Sequence, residues 1–214
     1  MKNDSLGSAS GHRIGVLISG RGSNLQAIIE AVAAGTLDAE IVVVISNRAD
    51  ALGLQRARDA GIETLVLDHR DKARFADRAE YDRELVRQLK ARNVALVCLA
   101  GFMRLLSSVF IEAYPNAILN IHPSLLPAFP GLDAQRQAWA HGVKVAGVTV
   151  HLATCDLDGG PIVLQSSVPV RDDDTPEALA ARILVEEHRM YPEAIGIVLA
   201  GGWRLEGRRF LRSR

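Results

Sequence analysis

Asn120 and His122 stand two residues apart at the end of a short apolar run and are followed by Pro123. If the run is a strand, positions two apart face the same side, so both side chains project together beyond its carboxyl end. Histidine exchanges a proton near neutral pH and an asparagine amide can donate to a developing oxyanion, a pairing suited to addition at a carbonyl. A strand-terminal polar cap with a satisfied histidine uses the same residues. Residues 156–161, DLDGGP, lie between two further apolar runs. An acid there, within reach of the imidazole, would orient it and favour its protonated form; a solvated turn is built from the same residue types.

Gly20, Arg21, Gly22, Ser23 and Asn24 follow the first apolar run and open a helix-like stretch, where free backbone N–H groups and the helix dipole favour an anion. A phosphate seat is the functional reading, and a tight turn needing glycine is the structural one. The dinucleotide fingerprint fails here, because its third glycine position holds Leu25 and the second strand ends in Ser46 and Asn47 with no acid for a ribose diol. No glycine precedes Lys and Ser or Thr in Walker spacing. Gly101, Phe102, Met103 and Arg104 leave another strand at the same sheet edge and could line an apolar pocket; a plain helix-entry loop is built from the same residues. His151 and Cys155 are too few for a metal site, and HExxH, paired CxxC and GxSxG motifs are lacking.

The elements that must position these residues are legible as patterns. Continuous apolar runs at 14–18, 41–45 and 94–99 read as central parallel strands covered on both faces, with 62–67 as another. Helical periodicity marks 24–34, 51–60 and the charged stretch 75–92. This alternation predicts an α/β fold with a doubly wound, mostly parallel sheet. In the second half, 117–121, 144–152 and 161–170 read as strands without long helices between them, so antiparallel pairing is expected there. Thr175, Pro176 and Glu177 open a final helix that Pro192 should kink or restart. Residues 1–12 read as a disordered leader, 13–203 as a single domain, and 204–214 as an Arg-rich tail forming a solvated hairpin that turns at Gly207. Residues 125–133, with Pro127, Pro130, Gly131 and an exposed Phe129, are expected to be a loop beside the site that orders on ligand binding.

The 214 residues carry 25 basic and 25 acidic side chains, with 48% hydrophobic and 23% charged, an ordinary globular composition. Zero net charge argues against a protein whose main task is holding nucleic acid or an acidic membrane, and favours a small-molecule site. Cys98 and Cys155 make no disulfide framework, and no apolar stretch approaches eighteen residues; a cytoplasmic protein without a membrane span is expected.

Residues 18–28 (ISGRGSNLQAI), 99–106 (LAGFMRLL), 119–127 (LNIHPSLLP), 129–132 (FPGL) and 157–161 (LDGGP), in this order, resemble the phosphoribosylglycinamide formyltransferase family. The resemblance implies a Rossmann-like formyltransferase fold and direct transfer of a formyl group from 10-formyltetrahydrofolate to the amine of glycinamide ribonucleotide, in purine synthesis. It implies no metal and no covalent enzyme intermediate. On the same ground Gly22, Ser23 and Asn24 hold the substrate phosphate, Asn120 polarises the formyl oxygen, His122 is general acid or base, and Asp158 supports His122. Arg78, Met103, Arg104, Leu106 and Asn120 match folate-contacting positions, with the turn Thr154, Cys155, Asp156 and Leu157, and Glu187 matches a contact to the amino-bearing substrate. A monomer or weak homodimer is expected. Leu184 stands where some relatives carry a phosphate-binding lysine, and Gln135 where histidine is common. Formyltetrahydrofolate deformylase and methionyl-tRNA formyltransferase share the catalytic set but are expected to need an extra domain, and a non-enzymatic phosphate-binding module is the alternative of another class.

Overall fold

The computed structural model describes residues 12–213; residues 1–11, most of the expected leader, and Arg214 lie outside the described residues. Five parallel strands come first: β1 (Arg13–Ile18), β2 (Glu40–Ser46), β3 (Thr64–Val66), β4 (Leu96–Leu99) and β5 (Ile118–His122). Antiparallel β6 (Val145–Leu152) and β7 (Ile162–Pro169) follow, then the hairpin β8 (Trp203–Glu206) and β9 (Arg209–Arg212). One sheet contains all nine, in the order β3-β2-β1-β4-β5-β6-β7-β9-β8.

The continuous apolar runs are explained by the two faces they serve. Val16, Val44 and Cys98 enter one buried cluster with α1 (Ser23–Ala33), α2 (Leu52–Asp59) and α6 (Pro176–Ala200). Their neighbours Leu17, Val43, Ile45 and Val97 enter another, beneath α3 (Arg78–Lys90) and α4 (Ser108–Ala113). Each fully buried aliphatic side chain adds about 1.5–3 kcal/mol, so neither face tolerates a polar alternation. The chain runs outward from β1 to β3 and then crosses back to β4, so β1 and β4 are neighbours that lead in opposite directions. The gap beyond their carboxyl ends is the switch point where open α/β sheets place ligands.

Several expectations need correction. α3 starts at Arg78, not at residue 75, because the Asp77 carboxylate accepts from the Glu80 N–H at 2.8 Å and caps it there. Phe75 instead packs edge-on against Tyr81 at 5.2 Å. α6 runs unbroken through Pro192 for 25 residues. The buried stripe Leu179, Ile183, Glu187, Met190, Tyr191, Ile195 and Val198 holds it on the sheet and outweighs one missing hydrogen bond. α4 and α5 (Ala134–His141) were not anticipated. α5 buries only Ala134 and Ala138, too small a stripe to stand out in a pattern. The terminal hairpin does turn at Gly207, at φ 58°, but it extends the sheet and is not a separate tail: Arg209 pairs with Ile162, and Trp203 is buried, stacked on Phe210.

Candidate active site

β5 ends the parallel part of the sheet, and β6 lies antiparallel beside it, so that Asn120 faces His151 and His122 faces Thr149 across the ladder. That register ends β6 opposite Leu119, near the start of β5, and the turn that follows folds back along β5 toward His122. Within that turn Asp158 takes a φ of 50° and brings a nearly buried carboxylate between two imidazoles. Its Oδ2 lies 3.5 Å from His122 Nδ1 and its Oδ1 lies 3.7 Å from His151 Nε2. The Gly131 N–H donates to Oδ2 at 2.8 Å.

His122 is held from its other side. Its Nε2 is 2.8 Å from the Phe129 carbonyl, which can only accept, so Nε2 carries a proton and Nδ1 is the nitrogen left for proton exchange. Phe129 has a φ of 53°, a region bulky side chains rarely enter. Both residues that touch the His122 ring nitrogens are therefore in left-handed backbone, the kind of strain that a structure retains where geometry matters. Phe129 is not exposed as expected: it is half-buried against the core and edge-on to His141 at 5.7 Å.

The loop bearing Phe129 is pinned to β6 by Thr149. That fully buried hydroxyl accepts from the Leu126 N–H at 3.0 Å and donates to the Ser124 carbonyl at 2.6 Å. Gln165 of β7 donates to the Leu126 carbonyl at 2.9 Å, and the Ser124 hydroxyl donates to Ala128 O at 2.6 Å.

At the end of β1, Gly22 caps α1 at φ 71°, and among the described residues this helix start has no side-chain cap. A Cβ on Gly22 would lie 2.6 Å from Gly53 Cα, so α2 packs against this turn as only glycine permits. Ser23 is half-buried and Asn24 buried. The Asn24 amide donates to Glu187 Oε2 at 2.7 Å, and its own oxygen is buried with no partner among the described residues. Burial pushes the Glu187 carboxyl up from its ordinary value; the Asn24 hydrogen bond and the charge of His122 oppose that shift. α1, α6 and β5 thus meet through Asn24, Glu187 and His122.

The expected folate residues lie on the loop after β4, on α3 and on the turn after β6. The Met103 N–H donates to Ser19 Oγ at 2.9 Å and the Ser19 N–H donates to Gly101 O at 3.1 Å, tying the loops after β1 and β4 together. Met103 is exposed, and the Arg104 guanidinium lies 4.8 Å from the Tyr81 ring centre. Burial raises the Asp82 carboxyl, against its bond from Ser107 and the charges of Arg104 and Arg78. Arg78 itself is exposed at the start of α3, and Leu106 packs against the second cluster. Thr154, Cys155, Asp156 and Leu157 form the exposed turn that leads into Asp158. Leu184 is half-buried, and so is Gln135 on α5.

The residue missed is His151. Its position alone, one histidine in an apolar strand, carries no signal; only the strand register puts it against Asn120.

The family model described as formyl transferase matches residues 12–195. The chain is 46% identical over 193 residues to the phosphoribosylglycinamide formyltransferase of Escherichia coli strain K12, covering 90% of this chain and 87% of that protein. It is 49% identical over 191 residues to the trifunctional purine biosynthetic protein adenosine-3 of Drosophila melanogaster, covering 88% of this chain but spanning only 14% of that relative's length. Among solved structures, glycinamide ribonucleotide transformylase 1 from Symbiobacterium toebii is 55% identical with a TM-score of 0.91, each chain covered to 94%.

Proposed function

The chain belongs to the formyl transferase family, and from that premise we propose that it moves a formyl group from 10-formyltetrahydrofolate to the amine of 5'-phosphoribosylglycinamide in purine synthesis. The observation that supports this most is the meeting of Asn120, His122 and Asp158 at the sheet edge that also bears the uncapped start of α1.

In this reading the acceptor amine adds to the formyl carbon, the formyl oxygen becomes an oxyanion, and a proton must leave the amine while N10 of the departing folate gains one. The Asn120 amide donates to the oxyanion, where a fixed dipole costs no reorganisation as charge develops. His122 moves the proton through Nδ1, because Phe129 occupies Nε2. Asp158 orients the ring and balances its charge in the protonated state. The scheme uses no metal and no covalent enzyme intermediate. Closure of the loop at 125–133 would keep water from the formyl group.

The folate would lie along Arg78, Met103, Arg104 and Leu106 and the turn Thr154, Cys155, Asp156 and Leu157, with Asn120 at its reactive end. Arg104 suits an anionic ligand: its Nε is buried with no partner among the described residues. The phosphate of the acceptor would rest on the N–H groups of Gly22, Ser23 and Asn24, and Glu187 would meet its amino-bearing part. With Leu184 adding no charge, phosphate recognition rests on that one turn.

The test is to compare formylation of glycinamide ribonucleotide with that of its dephosphorylated riboside, and to repeat it with Ser23→Asp. The phosphorylated acceptor should be preferred by about a hundredfold or more in kcat/KM. Ser23→Asp should raise the acceptor KM by about tenfold or more, by like-charge repulsion, with little change in the folate KM. Equal use of both acceptors, or an acceptor KM indifferent to Ser23→Asp, places the phosphate elsewhere.

A further inference from the structure

His151 is buried at 2% exposure in the middle of the site, one position across the ladder from Asn120. Its Nδ1 is 3.1 Å from the Leu152 carbonyl. A carbonyl only accepts, so the ring must carry its proton on Nδ1. Burial pushes the His151 pKa down, with a smaller push from the charge of His122, against the Leu152 bond and Asp158, so the ring holds one proton and not two. Nε2 is then a bare lone pair. The group facing it at 3.1 Å is Asn120 Nδ2, the donor end of the amide.

An asparagine amide has two nearly isosteric orientations, and only one offers a donor to an oxyanion. Turned over, Asn120 would set its oxygen against the His151 lone pair, acceptor against acceptor, beside a buried ring. Asp158 Oδ1 at 3.7 Å adds negative charge on the same side and favours the N–H end there. One N–H of Asn120 satisfies His151; the second remains on the same nitrogen for another acceptor.

We propose that His151 is a positioning residue for formyl transfer: in its Nδ1–H tautomer it accepts from Asn120 and so fixes the amide in the orientation that donates to the formyl oxygen. The inference rests on the proposed role of Asn120 in that reaction. His151 touches no reacting atom in this scheme, and its effect is carried by the Asn120 amide.

A double-mutant cycle tests it, with His151→Leu, which removes the acceptor, and His151→Gln, which restores one. His151→Leu should lower kcat by about tenfold to a hundredfold, with both KM values within about threefold of the parent. His151→Gln should recover most of the loss. On an Asn120→Ala background, His151→Leu should cost less than about twofold, since there is no amide left to orient. An undiminished kcat in His151→Leu, or an equal loss on both backgrounds, overturns the proposal. Nitrogen-15 spectra of the histidines in the unaltered protein supply a measurement independent of variant folding: His151 should show a protonated Nδ1 and a bare Nε2, and the opposite tautomer overturns the proposal as well. If Asn120→Ala alone left transfer intact, the parent reading of Asn120 would fail, whereas the ring tautomer would still be read from the spectra.

Discussion

Asn120, His122 and Asp158 have distinct duties in the proposed transfer, and removing each should leave a distinct trace. Asn120→Ala takes away one donor to the oxyanion and should lower kcat by about two to three orders of magnitude with the fold intact. Stopped assays under saturating substrates measure this, and near-normal turnover would remove the oxyanion role. His122→Ala should cost at least as much, since Nδ1 is then lost as the carrier between amine and N10. Because the Phe129 carbonyl fixes the ring's tautomer, the role proposed for this histidine depends on a main-chain group seven residues away. That dependence is invisible at the level of the motif.

The elements contribute by pinning what the residues cannot hold themselves. β6 carries Thr149, whose single hydroxyl anchors the loop that supplies the Phe129 carbonyl and the Gly131 N–H. Thr149→Val keeps the shape but leaves the Leu126 N–H without that acceptor and removes the donor to Ser124 O. This should cost about 1–3 kcal/mol of stability. It should also lower kcat by about tenfold or more, because His122 and Asp158 lose their common clamp. Calorimetry paired with initial rates checks both; loss of stability with unchanged kcat would mean that the loop does not set the geometry. α6 contributes from below, its buried Tyr191 hydroxyl shared between the carbonyls of Leu99 and Leu119 at 2.9 Å each, so that it ties the ends of β4 and β5 together.

At the scale of the whole molecule, two buried titratable groups should shape stability against pH in opposite directions. Glu187 has its folded pKa raised above the ordinary 4.5, mainly by burial. The native state therefore holds that proton longer than the unfolded chain, and stability is lost as pH rises from about 4.5 through the folded value. His151 has its folded pKa lowered below the ordinary 6.5. The unfolded chain takes up that proton first, so stability is lost as pH falls below about 6.5. Glu187→Gln keeps an acceptor for Asn24 and removes the charge. Its melting temperature should exceed the parent's at pH 7–8 by a few degrees, given about 2–4 °C per kcal/mol for a domain of this size. The advantage should shrink as the pH approaches 4.5, while acceptor binding weakens. Melting curves that stay parallel across this range would show that the Glu187 charge is not strained by burial.

The amino-acid order by itself determined the class of fold and supplied most of the candidate site residues. Apolar runs at β1, β2 and β4 can be stable only with both faces covered, and that forces a sheet between helix layers. The spacing of Asn120 and His122 puts both on one side of a strand whatever lies around it. Tertiary structure decided the rest. The pairing of Asn120 with His151, 31 residues away, depends on the antiparallel register of β5 and β6, and a shift of one residue would turn His151 to the other face. The short helices α4 and α5, the unbroken course of α6 past Pro192 and the joining of the terminal hairpin to the sheet were likewise settled by burial against distant elements. Local propensity is worth only tenths of a kcal/mol per residue, about one for glycine and about three for proline, and burial of a whole face exceeds it.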